Sequence, residues 1–129
     1  MNHNRRTIVK LAGAGMALSA LPFPLQAKDA TPMYGLIGQM LATPGQRDAL
    51  ATILAEGTGA MPGCLSYIIA HDSASADALW ITEVWDSKDS HAASLKLPAV
   101  QAAIAKGRQM MAGFGQRFET VPVAGVAKG

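Results

Sequence analysis

In the stretch ITEVWDSKDSHAASLKLPAV (Ile81–Val100), Trp85, Asp86, Asp89 and His91 fall within seven residues, so an indole, two carboxylates and an imidazole stand where a β-rich run passes into a helix. His91 is the candidate catalytic residue, because imidazole is the side chain whose ordinary pKa best suits a base near neutrality. Three side chains join it as candidate substrate contacts. Trp85 ends the strand on the face it shares with Ile81 and Glu83, and offers a flat wall. Glu83 can orient a base or a ligand, and Tyr67 in the preceding strand can donate its hydroxyl to a developing oxyanion. Met40, with Met61, Met110 and Met111, can supply an adaptable lining for a flat ligand.

Each of these residues also has a plainer job. His91 can lie on a solvated face near Lys88 and Asp89, and its helical neighbours Ser94 and Leu95 do not decide which way it points. Trp85 can be core or subunit packing, and Glu83 an ion pair to Arg108 or Arg117. Tyr67 can reach water with its hydroxyl, and the methionines can simply fill gaps. His71 reads as solvated at a polar turn, and Cys64, after Pro62-Gly63 at a strand start, as an inert thiol.

Composition narrows the classes. The 129-residue chain, 50% hydrophobic and 16% charged, is that of one globular domain. A single cysteine excludes a disulfide within the chain, and no Cys/His zinc spacing or phosphate-cradling glycine motif is present. Asn4-Arg5-Arg6-Thr7-Ile8-Val9-Lys10, followed by LAGAGMALSALPFPL, reads as a twin-arginine export signal over residues 1–27, with cleavage after Ala27. Its apolar run is shorter than the roughly 20 residues a bilayer span needs, so an address is expected rather than a stable membrane anchor. Loss of that segment removes Arg5, Arg6 and Lys10 and no acid, which leaves 8 basic against 9 acidic residues. A near-neutral chain of this kind lacks the electrostatic footprint of a nucleic-acid binder, and a periplasmic or secreted location follows from the signal.

The domain, residues 28–129 with its core over 33–123, reads as β-α-β-β-α-β. Met33–Ala42 is a strand, TPGQ a turn, and Gln46–Glu56 a helix carrying Leu50, Ile53 and Leu54 at helical spacing. Cys64–Ala70 and Leu79–Trp85 form a hairpin across HDSASAD. Asp86 or Ser87 caps the next helix, and Pro98 opens a second helical piece with Val100, Ile104 and Met111 on one stripe. Gly113 and Gly115 end that stripe, and Gln116–Val123 is a last, edge strand containing Pro122. This order predicts an α+β, ferredoxin-like domain with its helices over one face of the sheet. Both sheet faces are nonetheless apolar: Ile81 and Trp85 oppose Trp80 and Val84, and Ile68 opposes Tyr67 and Ile69. The uncovered face is expected to pack on a second copy, giving a homodimer.

TPGQRDAL after the first strand, MPGCLSYII opening the second, ITEVWDSKDSHAASL across the third and LPAVQAAI at the last helix, in this order and spacing, resemble the antibiotic biosynthesis monooxygenase family. Members are dimeric α+β barrels and include quinol oxygenases. The resemblance implies a pocket between sheet and helices in each subunit, and oxygenation of a small aromatic quinol or polyphenol by O₂ with no metal, flavin or haem. Such an enzyme makes its substrate reduce O₂ directly, and a base that turns phenol into phenolate makes that transfer far easier. A barrel with the same pocket but no turnover, a periplasmic binding or stress-response module, is the alternative. The family's haem-degrading branch uses an Asn, a Trp and a His where this sequence aligns Gly38, Ser94 and Ile104, which disfavours that reaction.

Overall fold

The computed structural model describes residues 31–125; the export signal expected over residues 1–27 and its expected cleavage site lie outside the described residues. Seven elements follow in order: β1 (Tyr34–Ala42), α1 (Arg47–Gly57), β2 (Cys64–His71), β3 (Ala78–Trp85), α2 (Lys88–Ser94), α3 (Pro98–Arg108) and β4 (Met111–Thr120). The strands form one antiparallel sheet in the order β2-β3-β1-β4. This is the expected ferredoxin-like arrangement, with the second helical segment divided into two short helices.

Local chemistry accounts for the joints. The Gln46 N–H donates to the Thr43 carbonyl at 2.9 Å across Pro44 and Gly45, and Gly45 sits at φ 81°, so Thr43–Gln46 is a turn that needs glycine at its third position. It delivers α1 onto the sheet with Leu50 and Leu54 buried. The Ser87 hydroxyl accepts the Ser90 N–H at 3.1 Å and caps α2. Pro98 occupies the first turn of α3, where its missing N–H leaves no bond unmade.

The last helix and strand differ from the sequence expectation. The helix ends at Arg108, and Met111 opens β4 instead of continuing the stripe of Val100 and Ile104. Gly113 and Gly115 lie inside β4 and do not terminate a helix. Pairing with β1 decides the matter, since Met111 faces Ala42 and Gly113 faces Leu41 across a register shift. Gly113 takes φ 155° at that irregularity, a backbone state that side chains disfavour and bulged strands use. The strand is on the sheet edge as expected, and Pro122 falls just beyond it.

Alternation sorts the sheet into two faces. Toward the helices, β1 sends Tyr34, Leu36, Met40 and Ala42, and β3 sends Leu79, Ile81, Glu83 and Trp85. Their buried side chains form two clusters. One joins Tyr34, Leu36, Met61, Trp85 and Val100, and the other Ala42, Leu50, Leu54, Leu79 and Ile81, with Tyr67 packed against both. On the far face Ile68 is 55% and Phe118 51% exposed, beside half-buried Ile37, Leu41, Trp80 and Val84. Asp72 accepts the Trp80 indole N–H at 2.8 Å and the Gln39 amide at 2.9 Å, which ties the β2–β3 turn to that face.

Candidate functional site

Between the two core clusters lies a cavity of about 490 Å³. Leu54 of α1, Met61, Val100 and Ala103 of α3, and Met111 at the start of β4 give it an apolar lining. The volume falls in the usual range for sites that take drug-sized molecules. Among the described residues no cluster of His, Cys, Asp and Glu could hold a metal ion.

All five sequence-derived candidates, His91, Trp85, Glu83, Tyr67 and Met40, stand on the wall of this one cavity. His91 does not take the solvated face of α2; its side chain is only 15% exposed. The imidazole lies between two rings, with its centroid 5.2 Å from that of Tyr34 and 5.4 Å, edge-on, from that of Trp85. The cap at Ser87 sets where α2 begins, so it also sets which way a residue one turn later points. Burial holds the His91 pKa below its ordinary value, helped by the positive charges of Arg117 and Lys88 and opposed by Glu119. Near pH 7 the imidazole is therefore neutral and able to accept a proton.

Glu83 approaches the same imidazole. Its Oε1 accepts the Trp85 indole N–H at 2.9 Å and lies 3.8 Å from His91 Nε2, longer than a hydrogen bond and an ion pair only once the imidazole is protonated. The expected pair with Arg108 or Arg117 does not form among the described residues. Alternation turns Glu83 into the covered layer, where the indole and imidazole nitrogens are its neighbours. Burial raises its pKa, against the Trp85 N–H and the charge of Arg117. Tyr67 has no acceptor for its hydroxyl among the described residues, and burial and the nearby Glu83 hold its pKa well above the ordinary phenol value. It stays a hydrogen-bond donor at neutral pH on a residue of the cavity wall.

Of the other methionines, Met61 and Met111 line the cavity, while Met110 packs in the core. Ser94 and Ile104 also reach the wall; the Ser94 hydroxyl is spent on the His91 carbonyl at 2.6 Å. His71 is away from the site, exposed and hydrogen-bonded to Asp48 at 2.8 Å. Cys64 is half-buried against the Trp85 cluster, with its thiol pKa pushed up by burial. The sequence reading missed Tyr34, whose ring packs on His91 and whose hydroxyl donates to Glu119 at 2.6 Å. Its signal was weak: a strand-end tyrosine reveals nothing of a partner 85 positions away.

The His91 environment has a measurable consequence. Its folded-state pKa lies below the ordinary 6.5, so the unfolded chain binds this proton first as pH falls. The associated stability is complete above the unfolded value and is lost as pH drops toward the folded one. Glu83, with its pKa raised from 4.5, contributes the opposite slope above that value. Urea unfolding from about pH 8 to 5.5 is expected to show wild-type protein losing stability over His91→Gln as the solution is acidified. A constant difference would mean that the imidazole is solvated.

The description of the matching family model is antibiotic biosynthesis monooxygenase, and the match spans residues 33–106. A structure from Chloroflexus aurantiacus J-10-fl, provisionally described as an antibiotic biosynthesis monooxygenase, is 64% identical, covers 72% of this chain and 95% of its own, and superposes with TM-score 0.71. A protein from Pseudomonas aeruginosa shares the fold at 17% identity and TM-score 0.64, over 74% of this chain and 98% of its own. A conserved protein of unknown function from Bacteroides thetaiotaomicron does so at 18% and 0.63, over 71% and 99%. No curated protein matches the chain by sequence. The family model covers more than half of the chain, from β1 into α3, and the Chloroflexus structure is 64% identical over 95% of its own length; on that ground the chain belongs to the antibiotic biosynthesis monooxygenase family.

Proposed function

We propose that the protein is a cofactor-independent monooxygenase that oxidises a quinol or polyphenol with O₂ inside the cavity. The observation that carries this reading is the neutral, enclosed His91 beside Trp85 and Glu83 on the wall of an apolar hollow. His91 takes the phenolic proton, with Glu83 near Nε2 to stabilise the imidazolium, and Tyr67 hydrogen-bonds the phenolate oxygen. The phenolate gives one electron to O₂. The phenoxyl radical and superoxide combine at a ring C–H carbon, the imidazolium returns its proton to the peroxide anion, and loss of water with that ring hydrogen leaves a quinone. One oxygen atom enters the product and the other leaves as water, with all four electrons coming from the substrate. The apolar walls exclude bulk water from the radical pair.

An oxygen electrode tests this directly. Purified protein with a panel of reduced naphthoquinones and benzoquinones, and no added cofactor, is expected to consume O₂ above the buffer rate. A panel that gives no such rate, with a ligand retained in native mass spectrometry, would favour the non-catalytic binding module.

The same reading includes a homodimer and export. The far sheet face, carrying Ile68 and Phe118, is the surface that a second copy covers, since leaving it in water forgoes about 25 cal/mol for each Å². Phe118→Asp is expected to shift light-scattering mass from dimer to monomer, and an unchanged dimer would place the interface elsewhere. Export follows from Arg5-Arg6 and the apolar run behind them, with the active protein in the periplasm or medium. Fractionation of cells expressing the full chain checks it.

A further inference from the structure

The cavity has two charged ends. Glu83 and His91 form one, and Arg108, an exposed cation in the last turn of α3, forms the other. Arg108 has no acidic partner within ion-pair distance among the described residues, whose ion pairs are His71–Asp48, Lys88–Glu119 and His91–Glu83. Arg117, not Arg108, is the guanidinium whose charge acts on Glu83 and His91. α3 runs from Val100, which packs with Trp85, to Gly107 beside Leu50 of the other cluster, so Arg108 stands at the end of the helix away from His91. The wall near it in sequence, Ile104, Met111, Ala112, Gly113 and Phe114, carries no charged side chain that could neutralise it.

We infer that Arg108 is an anion-recognition residue, and that the substrate is a flat phenol with an acidic group, such as a carboxylate, at the end opposite its reacting hydroxyl. This rests on the proposed oxygenase reading and adds an orientation to it. At the His91 end the charge of Arg117 is offset by Glu83 and Glu119, so a carboxylate is drawn instead to the unpaired Arg108, whose planar guanidinium can pair with it through two parallel N–H donors. The phenol end is then delivered to His91. Trp85 stands beside His91 at that end, and Tyr67 and Met40 share the wall. A neutral phenol of the same size can enter in either direction, and only one brings its hydroxyl to the base.

Calorimetric titration without O₂ separates this inference from the question of turnover. The probes are 6-hydroxy-2-naphthoate and its neutral isostere 6-hydroxy-2-naphthamide. Wild-type protein is expected to bind the carboxylate about tenfold more tightly or better, as one charge-assisted pair allows. Arg108→Gln should weaken carboxylate binding far more than amide binding and so remove the preference, and Arg108→Lys should restore part of it. A purely structural role at the helix end would alter both probes together. Equal wild-type affinities, failure of either probe to bind, or an undiminished preference in Arg108→Gln would overturn the inference. If the preference holds and no quinol consumes O₂, the oxygenase reading fails and the anion site stands.

Discussion

Replacing His91 by alanine is expected to lower turnover of an accepted quinol by about 10²–10⁴-fold, the usual worth of a positioned general base. The protein should remain folded, because His91 contributes a ring at the cavity wall and the fully buried side chains Trp85, Leu50 and Leu79 are untouched. The loss should fall on kcat more than on KM, since the imidazole acts on a proton in transit. The pH profile sharpens the assignment. Wild-type kcat/KM should rise through an ionisation below 6.5, the ordinary histidine value, and then level off. In the alanine variant that limb should vanish, and activity should instead climb toward the pKa of the free phenol, where substrate ionises unaided. Full activity in His91→Ala would remove the base from this mechanism.

Trp85→Ala carries the largest expected cost in stability. The indole is 0% exposed, sits among Tyr34, Leu36, Met61 and Val100, and donates its N–H to half-buried Glu83. Truncating a buried tryptophan typically costs about 3–5 kcal/mol, against about 5–15 kcal/mol for a whole domain. For a chain of this size the melting temperature should fall by at least ~12 °C. Trp85→Phe keeps most of the apolar volume but leaves Glu83 short of a donor, so an intermediate loss of about 1–3 kcal/mol is expected. Urea unfolding of the three proteins measures the series. An alanine variant within about 1 kcal/mol of wild type would show that the indole is a yielding wall and not part of the frame.

Strand and helix order were legible because alternation and helical spacing are local. Ile81 and Trp85 on one face, with Trp80 and Val84 on the other, specify the β3 register from eight consecutive residues. The α3–β4 joint was not legible. Met111 continues a helical stripe and Gly113 resembles a breaker, and only pairing with Ala42 and Leu41 turns this segment into strand. The candidate site divides in the same way. Trp85 and Glu83 share a face by alternation, but the inward turn of His91 comes from the Ser87 cap and from Tyr34 packed against the ring. A seven-residue helix offers too few positions for a stripe to reveal its buried side. Glu83 was given an arginine partner on charge alone, and layering placed an imidazole and an indole beside it instead. Arg108 could be read as a cation near a helix end, while its place on the cavity wall depends on how α3 crosses the sheet.

The central claim is that a phenol held against His91 reduces O₂ itself and retains one of its atoms. Turnover of an accepted quinol under oxygen-18 gas, in ordinary water, tests this most directly, with product sampled by mass spectrometry before its carbonyls exchange. One heavy oxygen atom in each quinone formed, with one O₂ consumed and no hydrogen peroxide released, is the predicted result. A quinone carrying no heavy oxygen, with peroxide accumulating in step with O₂ uptake, would contradict it.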